Sequence, residues 1–102
     1  MLLHNDKEYE LKYNMQRIEL IEAQTSMPTM AQIRKTGGYF GINDLKLYIM
    51  YALKEKGADV FVMPKKAEQI AKDIIENGDY SDVCAMVLDG IERDCPFFFR
   101  NA

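Results

Sequence analysis

Polar and apolar residues alternate near the start of the chain and then change period. Tyr9, Leu11 and Tyr13 are interleaved with Glu10 and Lys12, the period of two expected of a strand with one buried face. With residues 1–4 as a second strand, the pattern predicts a short β-hairpin over residues 1–13. It turns at Asn5-Asp6-Lys7, where Asn and Asp tolerate the backbone conformations a tight turn needs. A lone two-stranded hairpin is marginal in water, so it must lean on the helices or on another chain.

From Asn14 onward the apolar spacing is helical. Asn14 is a suitable N-cap for a first helix running to Thr25, with Met15, Ile18 and Ile21 on one face and Arg17, Glu19 and Gln24 opposite. Pro28 suits the first turn of a second, short helix through Lys35, which Gly37-Gly38 stops. Asn43 is placed to cap a third helix over residues 44–56, closed by Gly57. Leu45, Tyr48, Ile49, Ala52 and Leu53 form its main stripe, and Leu47, Met50 and Tyr51 occupy much of the other side. A helix apolar almost all round belongs in the middle of a core or between subunits.

Residues 58–63 read as a loop or short extended segment carrying Val60, Phe61 and Val62. Pro64 opens a fourth helix through Asn77, with Ala67, Ile70, Ala71, Ile74 and Ile75 on its apolar face. A fifth helix starts near Ser81, has Val83, Cys84, Val87, Leu88 and Ile91 as its stripe, and is ended by Pro96. No repeat, linker or low-complexity segment divides the chain. The expected fold is therefore mainly α, a short N-terminal β-hairpin followed by four to five helices in one compact domain. Within residues 1–102 the parts are a hairpin (1–13), a helical part (14–95) and an aromatic C-terminal tail (96–102).

Composition supports folding: 48% of residues are hydrophobic and 28% charged, and a domain of this size buries roughly 60–70% of the surface its unfolded chain exposes. The net charge of −3 is unevenly spread. Residues 34–72 hold eight basic and four acidic side chains, and residues 73–102 hold seven acidic and two basic ones. Such asymmetry fits solvated helix faces or a surface that orients a partner. It lacks the clustered Lys and Arg that phosphate binding demands, so no nucleic-acid partner is expected.

Cys84 and Cys95 fall on the same expected helix, eleven positions and roughly 16 Å apart, too far for a disulfide. With His4 the sole histidine and no CxxC spacing, neither a metal nor any other cofactor is implied. Reduced cysteines and the lack of a long apolar run lead to the expectation of a cytoplasmic protein that is neither exported nor embedded in a membrane.

Candidate chemistry is sparse. A thiol paired with His4 would be the available catalytic combination, yet Cys84 lies on an apolar stripe, and Cys95, beside Pro96, is expected to be the more exposed of the two. Gly37-Gly38-Tyr39-Phe40-Gly41 matches no nucleotide-binding fingerprint. Asp79, Asp82, Asp89, Glu92 and Asp94 are scattered rather than ordered as a calcium loop. The seven methionines mostly neighbour apolar positions and suit either gap filling or an adaptable binding surface. No enzyme is expected. Cys95-Pro96-Phe97-Phe98-Phe99-Arg100 stands apart, because termini are usually polar and frayed. Either one or two of the rings fold back onto the core, or the segment docks another protein.

Several segments resemble a known family. Lys7-Glu8-Tyr9-Glu10-Leu11-Lys12-Tyr13, Ile18-Glu19-Leu20-Ile21-Glu22, residues 44–56 ending ahead of Gly57, Lys66-Ala67-Glu68-Gln69-Ile70 and Arg93-Asp94-Cys95-Pro96-Phe97-Phe98 together resemble the tail assembly chaperones of long-tailed bacteriophages. The resemblance runs over nearly the whole chain, is mostly hydrophobic patterning, and is most distinctive at the C-terminal segment. It implies a non-enzymatic protein of the host cytoplasm that binds the tape-measure protein, keeps it soluble and helps tail-tube protein assemble around it. It also implies self-association, and a longer form made by ribosomal frameshifting. The family has no catalytic motif to transfer. The expected partner-binding residues are therefore chosen on physical grounds: Phe97, Phe98 and Phe99, with Leu47, Met50 and Tyr51 on the apolar helix. The competing expectation is a small cytoplasmic adaptor or a helix-turn-helix regulator using Lys65, Lys66 and Lys72.

Overall fold

Asn5 and Asp6 both take positive φ, 49° and 65°, the geometry of a two-residue hairpin turn whose twist matches its strands. In the computed structural model this turn joins strand β1 (Leu2–His4) to strand β2 (Lys7–Leu11), with Leu2 opposite Tyr9 and His4 opposite Lys7. The structure describes residues 2–100, so Met1 of the expected first strand and Asn101 and Ala102 of the expected tail lie outside it.

The sheet has a third strand. β3 (Leu53–Glu55) pairs antiparallel with the other side of β2, setting Leu11 opposite Leu53 and Tyr9 opposite Glu55. The expected hairpin is thus two-thirds of a three-stranded sheet, and the expected helix over 44–56 is two elements. Helix α3 spans Ile42–Met50, its N-cap is Gly41 rather than Asn43, and the chain leaves the helix at Tyr51. The physical reason is a competing partner. Lys12 N–H donates to the Ala52 carbonyl at 2.8 Å and Lys56 N–H to that of Glu8 at 2.9 Å, so β2 offers these residues a ladder while still burying Ala52 and Leu53. Tertiary pairing overrides a helical period. Gly57, at φ +85°, turns the chain back after the strand rather than closing a helix.

The remaining helices lie close to expectation. Helix α1 (Met15–Thr25) begins at Asn14, whose Oδ1 accepts from Arg17 N–H at 2.8 Å. Helix α2 (Thr29–Thr36) ends on Gly37 in the left-handed conformation. Helix α4 (Pro64–Asn77) starts on its proline, and helix α5 (Tyr80–Asp94) on Asp79, whose carboxylate accepts from Asp82 N–H at 3.0 Å.

Helix α3 touches α1, α4 and α5, which explains why it is apolar nearly all round. Its Leu45, Tyr48 and Ile49 are fully buried, facing Ile18 and Ile21 of α1, Ala67 and Ile70 of α4, and Val87 and Ile91 of α5 within one core. A chain of hydrogen bonds crosses this core: Tyr13 Oη donates to the Tyr48 carbonyl at 2.9 Å and Tyr48 Oη to Thr29 Oγ1 at 3.0 Å, both buried, and Thr29 N–H to the Glu22 carboxylate at 2.7 Å, part-buried. Burial pushes the phenols of Tyr13 and Tyr48 above their ordinary range, so both stay neutral and able to donate.

Candidate protein-binding surface

The C-terminal segment is built on the end of α5. Cys95 caps that helix, and Pro96–Phe98 form a single 3₁₀ turn, closed by Phe98 N–H to the Cys95 carbonyl at 3.1 Å and Phe99 N–H to that of Pro96 at 3.0 Å. The turn separates the three rings. Phe98 packs against the core, whereas Phe97 and Phe99 remain 43% and 41% exposed. Their centroids lie 4.8 Å and 6.3 Å from that of Phe98, so the outer rings extend one aromatic surface anchored by the middle one.

Two ion-paired residues hold this segment in place. Asp94 Oδ2 accepts from Tyr13 N–H at 2.9 Å, its Oδ1 from Lys12 Nζ at 3.3 Å, and both oxygens from Arg93. Burial pushes the Asp94 carboxyl up, but Arg93, the Tyr13 N–H and Lys12 together outweigh it and hold the group at about 2. Arg93 also donates to the Leu11 carbonyl at 2.6 Å. The expectation that Cys95 is the more exposed thiol is corrected. It is fully buried, and burial followed by the nearby Asp94 charge raises it above the ordinary thiol range, because the side chain turns inward at the cap instead of following Pro96 into solvent. A buried thiol kept protonated is a poor nucleophile.

The other expected contact residues lie on and just beyond α3. Met50 is 8% exposed, so almost none of its area is open to a partner, and Leu47 and Tyr51 are half-buried against the core. Helix α3 and the 3₁₀ turn of the aromatic segment are not among the element pairs that pack closely. Helix α3 is central, in contact with α1, α4 and α5, and its second apolar side is buried at Met50 and half-buried at Leu47 and Tyr51.

Exposed apolar surface occurs where the periodicity did not point. Val60 and Met63 are 72% and 74% exposed and border a shallow depression with Ala58 and Val62. Between them in sequence, Phe61 has the Arg17 guanidinium 3.8 Å from its ring centroid and Lys54 Nζ at 5.8 Å. Arg17 Nε is buried without a hydrogen-bond partner among the described residues, so the ring face is its compensation. A second patch pairs Tyr39 with Tyr80, centroids 6.4 Å apart, where the Tyr80 hydroxyl donates to the Phe40 carbonyl. The available signal for Val60 and Met63 was their place between Gly57 and Pro64, a connection too short to bury every apolar residue it carries.

Among the described residues no group of three or more His, Cys, Asp and Glu side chains is arranged to hold a metal ion, and His4 Nε2 is engaged with Asp73 Oδ2 at 2.7 Å. No helix of the described residues is long and apolar enough to cross a membrane. Comparison with protein-family models, with curated proteins and with solved structures finds no match to this chain.

Proposed function

We propose that this chain is a non-enzymatic tail assembly chaperone of a long-tailed bacteriophage, working in the host cytoplasm, which holds the tape-measure protein soluble while tail-tube protein assembles around it. The reading rests on the sequence resemblance, and the observation that carries it structurally is the divided aromatic segment: Phe98 anchors while Phe97 and Phe99 stay open. Two exposed rings on a fixed support offer a large contact area at little ordering cost, the composition of an interface hot spot. Val60, Met63, Tyr39 and Ile42 add further apolar surface that a long client could cover.

A helix-turn-helix regulator is the weaker reading. That motif joins its helices by a tight turn, whereas here β3 and a further loop intervene between α3 and α4. Lys65, Lys66 and Lys72 are exposed on α4 but form part of a chain that is acidic overall.

The test is co-expression with the tape-measure protein of the genome that encodes this chain. The wild-type chain is expected to keep that protein soluble and to co-purify with it, and a variant carrying Phe97→Ser and Phe99→Ser to lose capture while melting like wild type. Undiminished capture by the double variant, or a tape-measure protein equally soluble without the chain, overturns the proposal.

A further inference from the structure

Among the described residues, strand β1 is the outermost strand of the sheet and has a neighbour on one side only. In an antiparallel pair, successive residues direct their backbone N–H and C=O alternately toward and away from the partner strand. Glu8 gives its carbonyl to Lys56 N–H, so its backbone faces β3. Leu3 stands opposite Glu8 and therefore turns its own N–H and C=O outward. Its side chain is 68% exposed, leaving both backbone and side chain open to a partner.

Along this edge runs an open groove of about 430 Å³, bounded by β1 on one side and by the elbow between α4 and α5 on the other. The more buried part of its lining is apolar, made by Leu2, Ile74, Val83 and Met86. The exposed part carries Asp79 and Asp82, and Asp73 is half-buried on the lining. Asp73 is engaged by His4, but Asp79 and Asp82 have no cationic partner among the described residues, and no Lys or Arg lines the groove.

A free backbone edge, an apolar trough and unbalanced carboxylates together select an occupant. We propose that the groove binds an extended, basic segment of a partner chain, which adds to β1 as a fourth strand. Its backbone completes the two hydrogen bonds left open at Leu3, an apolar side chain enters the trough between Leu2, Ile74 and Met86, and flanking Lys or Arg residues face Asp79 and Asp82. Strand addition draws affinity from the backbone and specificity from the alternate side chains. A helical occupant would leave the Leu3 groups unmet, and a second copy of β1 would bring Leu2, Leu3 and His4 instead of strong cations. The site is separate from the aromatic segment and stands whatever the partner's identity.

A short acetylated peptide alternating Lys and Val, and its counterpart alternating Glu and Val, test the proposal by fluorescence anisotropy and by amide shift mapping on the full chain. The Lys peptide is expected to bind, with affinity falling as salt rises, and to shift Leu3, Ile74 and Met86, while the Glu peptide does not bind. Leu3→Pro removes an outward N–H that the hairpin does not use, a change edge strands tolerate, and is expected to weaken binding about tenfold, the loss of one backbone hydrogen bond. Asp82→Lys alters an exposed side chain away from the edge and is expected to weaken binding and flatten its salt dependence. Equal binding of the two peptides, shifts confined to Phe97 and Phe99, or full affinity in both variants overturns the proposal. So does light scattering that finds a dimer which Leu3→Pro splits, since the groove would then belong to a second copy.

Discussion

Gly90 lies in the middle of α5, where alanine would ordinarily favour the helix by about 1 kcal/mol. Here the sign is expected to reverse. A Cβ added at Gly90 would stand 2.9 Å from Tyr13 Cε2 and 3.3 Å from its Cδ2, well inside the roughly 3.5–4.0 Å at which carbon atoms rest. The ring cannot step back. Tyr13 is 1% exposed, its hydroxyl is bonded to the Tyr48 carbonyl at 2.9 Å, and its backbone N–H to Asp94 at 2.9 Å. Overpacking of a filled core costs about 1–3 kcal/mol, and a ring pinned at both ends belongs to the upper part of that range, about 2–3 kcal/mol, so Gly90→Ala is expected to lose about 1–2 kcal/mol after the helical gain of about 1 kcal/mol. For a domain of this size that lowers Tm by about 5–10 °C, measured by circular dichroism and checked by urea titration with an unchanged slope. In a Tyr13→Leu background the same substitution should become neutral or stabilising, because the obstacle is gone. A Gly90→Ala variant that melts at or above the wild-type temperature would refute the placement of Tyr13 over this helix.

The aromatic segment should divide by position. Phe97→Ser and Phe99→Ser are expected to change stability by no more than about 0.5 kcal/mol each, whereas Phe98→Ser should cost about 2 kcal/mol as a half-buried ring is lost, a contrast that thermal melts read directly. Asp94 sets an acid limit. Its folded carboxyl sits at about 2, below an unfolded value of about 3.9, so its contribution of about 2 kcal/mol is complete above pH ~4 and is lost as pH falls toward 2. Asp94→Asn should flatten that part of the pH–stability curve, and an unaltered curve would contradict the assignment. Cys84 and Cys95 are both buried and unpaired. In native protein they should react with an aromatic disulfide reagent only at the rate of unfolding, and both promptly in denaturant.

The helices whose apolar stripes meet a single surface were legible to within a residue or two. α1 announces itself through Asn14, α4 through Pro64, and α5 through its stripe and Pro96, since each signal is local and acts where it is read. The third strand was not legible. Ala52 and Leu53 continue the spacing of Leu45, Tyr48 and Ile49, and nothing after Tyr51 breaks a helix; what breaks it is the unsatisfied side of β2, some forty positions away in the chain. A sequence records such a competitor only as another amphipathic strand in need of a neighbour. The arrangement of the aromatic segment was partly legible for the same reason. Three consecutive aromatics mark a surface, but their division into one anchor and two open rings depends on the 3₁₀ turn after Pro96. On the second apolar side of α3 the spacing does not separate Met50, which is buried, from Leu47 and Tyr51, which are half-buried.

The contacts of residues 93 and 94 decide how the fold bears a load. The Arg93 and Asp94 bonds to the Leu11 carbonyl and the Tyr13 N–H tie the last helical turn to the end of β2, the strand flanked on both sides. A pull applied at Phe99 is resisted at the last turn of α5 by these bonds. It loads these bonds in parallel and passes the force into the middle of the sheet, so the aromatic segment can be tugged while its platform stays still.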